Sequence, residues 1–327
     1  MANTSNGIKI IYGAGGVCSA FVTVPEGVDF HDYSKKVFET LKKDGITTLD
    51  TAEFYPGSEE EIGLHGGAND FTVDTKLPGG LAPPRKKDEI IAGGLASLAK
   101  LKTKQVDVLY FHKPETTVPF EEQLEATNEL YKQGAFKRLG ISNYTAEQVQ
   151  QVYDISKKNG YPLPTVYQGN YSAVARLSET TLLPTLRKLG IAYYAYSPIA
   201  GGFLAKTRQQ VKERAGRFDP ASPLGDMWKN VYDKPSFLDV LDKWGIIADD
   251  AGVKKAELAY RWVIHHSALE GQHGDGVIFG ANSQTQLEET VKYVRAGPLS
   301  KDIADRIRGL WDSIKHEVTL DGYNSSE

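Results

Sequence analysis

Eight short apolar runs recur along the chain, and longer segments with helical periodicity separate them. Each run is rich in β-branched and aromatic residues and is bounded by glycine, proline or polar residues, which is the pattern of buried strands. The runs occupy residues 8–13, 47–50, 71–76, 106–112, 137–142, 165–168, 191–196 and 276–280. Strands that alternate with helices form a parallel sheet covered by helices, and eight such units favour a closed barrel. The sequence therefore predicts an α/β protein with a (β/α)8 TIM barrel.

The chain has 327 residues, and α/β barrels of this length fold as one unit, so a single domain over residues 1–327 is expected. Residues 205–235 break the rhythm, because they are long, charged and interrupted by several prolines. Long segments of this kind usually act as functional loops, so we predict a lid loop over the site, with an irregular insertion as the alternative. Helices are expected after the last strand, and the polar residues 321–327 are predicted to form a flexible tail.

Composition excludes several partners. A net charge of −4 gives no basic field for nucleic acid or an anionic membrane surface. No apolar run reaches the roughly 18 residues that a spanning helix needs. Cys18 is the one cysteine, so an internal disulfide is impossible and a reducing compartment is favoured. Residues 1–7 are polar and lack the apolar core of a secretory signal, so a cytoplasmic location is expected.

Three consecutive predicted strands end in ionisable residues. The second ends at Asp50, the third at Lys76 and the fourth at His112, while Tyr55 lies in the loop after Asp50. Each residue alone has an ordinary explanation as a turn, a cap, a rim or a packing residue. Catalytic residues of α/β barrels lie at the carboxyl ends of the strands, so their joint placement predicts one catalytic group.

These four residue types suit the reduction of a carbonyl group. The reaction needs a proton donor beside the oxygen, and a tyrosine has an ordinary pKa near 10. We expect the Lys76 ammonium, held by Asp50, to lower the pKa of Tyr55 toward ~7, which takes roughly 4 kcal/mol. His112 is expected to orient the carbonyl or to share the proton.

The constellation resembles the aldo-keto reductase superfamily, and it is most similar to the aflatoxin-aldehyde reductase branch. The superfamily motifs are DTAEFY at 50–55, DTK at 74–76, LYFHKP at 109–114, GISNY at 140–144 and YSP at 196–198. The branch motifs are PTVYQG at 164–169, AGG at 200–202, GRF at 216–218 and HGD at 273–275. The resemblance implies NADPH-dependent reduction of an aldehyde or ketone to an alcohol, in secondary metabolism or aldehyde detoxification.

The resemblance also implies a cofactor site. Side chains from three strand ends would hydrogen-bond the nicotinamide carboxamide, an aromatic ring would stack on the nicotinamide, and the following segment would wrap the pyrophosphate. A lid arginine would reach the phosphates, and the start of a late helix would hold the adenosine end, as free helix N–H groups suit a phosphate. The implied residues are Ser142, Asn143, Gln168, Tyr196, Ser197, Pro198, Ile199, Gly201, Gly202, Phe203, Leu204, Lys206, Arg217, Gly280, Asn282, Ser283, Gln286 and Glu289.

Positions at which this sequence differs from the resembling branch predict its substrate and cofactor preferences. NADPH is expected to be preferred over NADH, although residues 281–291 contain no base, so Arg217 or backbone N–H groups would have to contact the 2′-phosphate. The branch holds a substrate carboxylate with a lid tyrosine and arginine, and Trp228 and Val231 stand at the matching positions. With Phe54 and Phe203 as expected neighbours of Trp228, an uncharged, bulky or aromatic carbonyl compound is predicted.

Competing interpretations are weaker. Residues 13–18 imitate a dinucleotide fingerprint but lack its last glycine. The histidines at 265, 266 and 273 with Asp275 do not have zinc-ligand spacing, so no metal is expected. Homodimers occur in the resembling branch. An NADPH-binding regulatory subunit of a channel, or a biosynthetic enzyme that uses bound NADPH in a redox-neutral step, are the alternative functions.

Overall fold

A computed structural model describes residues 4, 6–22, 24–214, 216–222 and 225–320. Its eight parallel strands pair in chain order, and the last pairs with the first to close a barrel. The strands are β1 (Lys9–Gly13), β2 (Thr48–Asp50), β3 (Thr72–Leu77), β4 (Val106–Phe111), β5 (Phe136–Ser142), β6 (Pro164–Asn170), β7 (Ala192–Tyr196) and β8 (Gly276–Phe279). Each predicted run is a strand, and the TIM-barrel prediction is confirmed.

Helices cover the outside of the barrel and connect successive strands. They are α1 (Phe30–Lys43), α2 (Ser58–Leu64), α3 (Gly67–Asp70), α4 (Lys87–Lys100), α5 (Phe120–Lys132), α6 (Ala146–Asn159), α7 (Ser178–Thr181), α8 (Leu183–Leu189), α9 (Arg208–Lys212), α10 (Gly225–Tyr232), α11 (Pro235–Asp250), α12 (Lys255–His265), α13 (Gln284–Arg295) and α14 (Lys301–Asp312). Local chemistry sets their ends: Thr145 and Gln148 form a capping box at the start of α6, and Gly160 ends that helix in the left-handed region. Within the described residues, no helix is both long enough and apolar enough to cross a bilayer.

Two apolar layers build the core. Inside the barrel, side chains from alternate strand positions form a small cluster that includes Ile11, Val108 and Tyr194. A larger cluster fills the space between the strands and the helices and includes Leu258 and Trp262 of α12. On α5, Phe120, Leu124 and Thr127 are buried, whereas Tyr131 near the end of the helix is 45% exposed and its ring contacts Phe136.

Residues 205–235 differ from the predicted loop. A 3₁₀ segment at Ala200–Ala205 leads into α9, a 3₁₀ turn at Gly216–Phe218 and α10. These turns cover the carboxyl ends of the strands, where Arg217, Met227 and Val231 line the main cavity. The lid is therefore largely helical. Residues 215, 223 and 224 and the predicted tail at 321–327 lie outside the described residues.

Candidate active site

A buried ion pair forms the floor of the site. Lys76 is fully buried inside the barrel, and its Nζ donates to Asp50 Oδ2 at 2.6 Å and to the Thr51 carbonyl at 2.8 Å. Parallel pairing brings this about, because Asp50 lies opposite Asp74 and Lys76 follows two residues later on the same face of β3. A buried ammonium needs a partner, and Asp50 is the one that the sequence predicts.

Tyr55 lies directly above this pair. Its ring centroid is 5.2 Å from Lys76 Nζ, and the ring contacts Phe21 and His112 edge-on at 5.8 and 5.7 Å between centroids. Burial and the negative charge of Asp50 raise the pKa of Tyr55 above its ordinary value, and the charge of Arg217 opposes them. The expected lowering of the Tyr55 pKa toward neutrality is absent, because burial has the largest effect and the charge of Asp50 adds to it. Tyr55 is therefore a protonated phenol in this structure.

His112 is neutral at ordinary pH. Burial and the nearby Lys76 ammonium hold the pKa of its imidazole well below the usual range. Among the described residues, its buried Nδ1 has no hydrogen-bond partner, and Phe54 contacts the ring edge-on. The backbone is fixed by Asn143, whose Nδ2 donates to the His112 carbonyl at 2.9 Å. A neutral imidazole has one N–H group, with which it can donate a hydrogen bond to a carbonyl oxygen.

Amide and hydroxyl side chains from the next three strand ends continue this network. Gln168 Nε2 donates to Asp50 Oδ1 at 2.8 Å, which joins β6 to the ion pair. Asn143 has a left-handed backbone with φ of 62°, and its Oδ1 accepts from the Tyr196 hydroxyl at 2.8 Å. Asn143 Nδ2 also donates to Ser142 Oγ at 3.1 Å, and Ser142 is fully buried beneath the cavity. The predicted residues of this region thus form two hydrogen-bonded groups, one around Asp50 and one around Asn143.

The 3₁₀ segment after β7 has an unusual backbone. Ala200, Gly201 and Gly202 have consecutive positive φ values of 53°, 63° and 98°. The N–H groups of Ala200 and Gly202 donate to the Ser197 and Ile199 carbonyls at 2.8 and 3.0 Å, so the segment folds into consecutive tight turns. A Cβ added to Gly202 would meet nothing within 4 Å, so this side is open. The predicted contacts at Phe203 and Leu204 are limited to their backbone, because both side chains are fully buried in the core.

Trp228 of α10 packs against this segment. A Cβ added to Gly201 would lie 2.8 Å from the Trp228 ring, so only glycine allows this approach. The Trp228 and Phe203 rings both stack on Tyr232, at centroid distances of 5.9 and 4.8 Å. Phe54, which was expected beside Trp228, contacts His112 edge-on, and both Phe54 and Trp228 line the main cavity. Trp228 lines the cavity but is only 6% exposed, and its ring supports the backbone of the 3₁₀ segment at Gly201.

The far end of the site lies beside the start of α13. Ser283 caps this helix by accepting from the Gln286 N–H, and Gln286 Oε1 accepts from the Asn282 N–H at 3.0 Å. Arg217 is exposed and reaches from the lid to Asn282 Oδ1 at 3.4 Å. Lys254, at the start of α12, pairs with Glu289 of α13.

One continuous cavity of about 1980 Å³ connects these parts. It is lined by most of the predicted residues, namely Asp50, Phe54, Tyr55, His112, Asn143, Gln168, Tyr196, Ser197, Pro198, Ile199, Gly201, Gly202, Lys206, Arg217, Trp228, Val231, Gly280, Asn282, Gln286 and Glu289. Lys76, Ser142, Phe203, Leu204 and Ser283 lie behind this lining. Asn170, Lys254, Tyr260 and Tyr293 line it too and were missed. Asn170 could have been found by extending the sixth strand two residues, whereas no motif marks the other three.

Comparisons with known proteins agree with this architecture. The model of the aldo/keto reductase family matches residues 14–312. Oxidoreductase sirO of Leptosphaeria maculans is 38% identical over 299 residues, which cover 91% of this chain and 89% of that protein. Aflatoxin B1 aldehyde reductase member 4 of Homo sapiens is 34% identical over 300 residues, 87% of this chain and 90% of its own. Aldo-keto reductase family 7 member A3 of Homo sapiens is 35% identical over 299 residues, with coverage of 87% and 90%.

The family match spans strands β2 to β8, the lid and most of the cavity lining. The relatives with reductase or oxidoreductase names are matched over most of their own length. The branch expected from the sequence is among them. The chain therefore belongs to the aldo/keto reductase family and is an oxidoreductase of that family.

Proposed function

We propose that this protein reduces an aldehyde or ketone to an alcohol, with NADPH as the reductant and Tyr55 as the proton donor. The observation that carries the proposal is the convergence of Tyr55, His112 and the Lys76–Asp50 pair at one end of a cavity that also has room for a dinucleotide. In this proposal, the cofactor and the carbonyl compound share the cavity, with the reacting carbonyl between Tyr55 and His112.

Tyr55 keeps its proton until a strong enough base appears. Its raised pKa means that the phenol is fully protonated at neutral pH, so it is ready to donate to an oxygen that gains negative charge. Two of the three N–H groups of Lys76 Nζ donate hydrogen bonds to Asp50 and to the Thr51 carbonyl. The third can stabilise the Tyr55 phenolate that remains after the proton has been transferred. Neutral His112 holds the carbonyl oxygen in line, and Phe54 covers the imidazole from the solvent side.

The cofactor would lie along the cavity. Ser142, Asn143 and Gln168 would hold the carboxamide, with Tyr196 beneath the ring. The positive-φ backbone at 200–202 would take the pyrophosphate together with Arg217, and Gly280 to Glu289 would hold the adenosine. The open space beside Gly202 and the exposed guanidinium of Arg217 fit an anionic group at this place. When bound, the reduced nicotinamide supplies a hydride to the carbonyl carbon.

The substrate is proposed to be uncharged and bulky or aromatic. Phe54, which is 46% exposed at the cavity mouth, and the half-buried Val231 offer apolar surface near the catalytic group. Lys229 lies two positions before Val231, which matches the branch arginine; its side chain is exposed and is not part of the described cavity lining. A lost charge-assisted contact should cost an acidic aldehyde roughly 10- to 100-fold in kcat/KM.

The test is consumption of NADPH with a panel of aldehydes, ketones and dicarbonyls, followed by product analysis. We expect an alcohol in equal amount to the NADPH consumed, with 4-nitrobenzaldehyde turned over faster than succinic semialdehyde. A preference for the acidic aldehyde would overturn the substrate class and point to Arg217 or Lys229. Product formed without net oxidation of NADPH would favour the redox-neutral alternative, and tight binding without turnover would favour a regulatory role. A homodimer and a cytoplasmic location stay predictions. Light scattering tests the first and cell fractionation tests the second.

A further inference from the structure

An ion pair lies at the end of the cavity where the adenosine is proposed to bind. Lys254 caps the start of α12, Glu289 lies in α13, and Lys254 Nζ is 2.5 Å from Glu289 Oε1. The Tyr293 hydroxyl donates to the other Glu289 oxygen at 3.3 Å. All three side chains line the cavity beside Asn282 and Gln286. A cation and an anion thus face the same part of the site.

The other lysines near this region are engaged elsewhere. Lys255 Nζ donates to the Lys206 carbonyl at 2.9 Å, behind the 3₁₀ segment, and Lys234 Nζ donates to the Glu317 carbonyl at 3.2 Å. Residues 281–291 contribute no base from α13 itself. Lys254 comes from a different helix, about thirty positions earlier in the chain, and supplies a positive charge to the α13 side of the cavity.

The Lys254–Glu289 pair can exchange partners at low cost. The two side chains are 66% and 38% exposed, and ion pairs in water contribute little to stability. A phosphate dianion competes well for the ammonium, because charge-assisted bonds to phosphate are strong. The Glu289 carboxylate has the opposite preference, since it repels a phosphate and can accept a hydrogen bond from a ribose hydroxyl.

We propose that Lys254 and Glu289 together read the 2′ position of the adenosine ribose, Lys254 binding the 2′-phosphate of NADPH and Glu289 accepting from the 2′-hydroxyl of NADH. This inference rests on the proposed function. Because the two side chains act in opposite directions, discrimination between the cofactors is set by their balance. Loss of the lysine shifts the balance toward NADH, and neutralisation of the glutamate shifts it toward NADPH.

The test is the dissociation constant of each cofactor, measured without substrate by quenching of protein fluorescence. Lys254→Met should weaken NADPH binding about tenfold, the size of one charged contact, and change NADH binding less than about twofold. Glu289→Gln should tighten NADPH and weaken NADH. The matched control is Lys301→Met, because Lys301 is also an exposed lysine paired with a carboxylate, that of Asp305, but lies outside the cavity lining.

The ratio of the two dissociation constants separates the outcomes. If Lys254→Met weakens both cofactors equally or neither, the assignment of Lys254 is overturned, whatever the wild type prefers. A different result is a wild type that binds NADH more tightly, while Lys254→Met still changes the ratio of the NADPH and NADH dissociation constants. In that case Lys254 does contact the 2′ position, and the proposed preference for NADPH is wrong. A wild type that binds neither cofactor overturns both.

Discussion

At the scale of single residues, Asp50, Asp74 and Lys76 place two buried carboxyl groups beside one buried ammonium inside the barrel. Asp50 is paired with Lys76, whereas Asp74 is fully buried and its Oδ1 accepts one hydrogen bond, from the Val108 N–H at 3.1 Å. Burial and the charges of Asp50 and Asp107 raise the pKa of Asp74 well above its ordinary value, and Arg138 opposes them. The neutral acid form of Asp74 is therefore favoured more strongly than that of an exposed aspartate.

The raised pKa of Asp74 should make the free energy of unfolding depend on pH. A group whose pKa is raised in the folded state stabilises the fold below its unfolded pKa, about 3.9 for Asp, and loses that contribution as pH rises toward the folded pKa. Asp74→Asn removes the titration and keeps an oxygen for the Val108 N–H. We therefore expect the variant to gain unfolding free energy relative to the wild type as pH rises from 5 to 8, measured by urea unfolding. A difference that does not change with pH would show that Asp74 is ionised in the folded protein.

At the scale of elements, the sequence was most informative about the strands, because the same local pattern recurs in all eight of them. The eight strands could be predicted because each is a short buried run with polar ends, and the catalytic group followed from the rule that the carboxyl ends of barrel strands meet at one rim. The helical turns of 205–235 could not, because α10 is held by tertiary contacts: Trp228 against Gly201, and Tyr232 between two rings. Lys254 was missed for the same reason, since it meets α13 only after folding.

The packing of α10 on the 3₁₀ segment predicts the effect of removing Trp228. Trp228→Ala should lower the unfolding free energy by about 3 kcal/mol, typical of a buried aromatic ring, and should also weaken cofactor binding because the backbone at 200–202 loses its support. Chemical unfolding and fluorescence titration measure the two effects. Ile246→Ala is the control, because Ile246 is 58% exposed on α11 and its loss should matter little. Cofactor affinity unchanged in Trp228→Ala would contradict the supporting role.

At the scale of the whole molecule, the two ends of the barrel have different tasks. The proposed catalytic group lies at the carboxyl ends of the strands, while a second ion pair, between partly buried Arg187 and buried Asp275, lies at the opposite end, near the starts of β7 and β8. There Arg187 Nη1 donates to Asp275 Oδ1 at 2.9 Å, and fully buried Asp275 also accepts from the backbone N–H groups of Tyr193 and Glu270. This arrangement ties α8 to the starts of two strands, far from the chemistry.

Removal of Arg187 should therefore affect stability and leave catalysis intact. Arg187→Met leaves the Asp275 carboxylate buried without its cation, which costs about 3–5 kcal/mol when a buried pair is broken. We expect a lower midpoint of thermal unfolding and unchanged kcat/KM at temperatures where the variant is folded. A fall in kcat/KM of the fully folded variant, with cofactor affinity preserved, would mean that this end of the barrel influences the site.

The central claim is that Tyr55 gives the proton in a carbonyl reduction, and Tyr55→Phe tests it directly. The substitution removes the hydroxyl and keeps the ring that contacts Phe21 and His112. In a single-turnover experiment with NADPH and 4-nitrobenzaldehyde, the account predicts unchanged NADPH binding and a rate of NADPH oxidation lower by about 100-fold or more, as expected for loss of a general acid. Oxidation at a rate close to that of the wild type would contradict it.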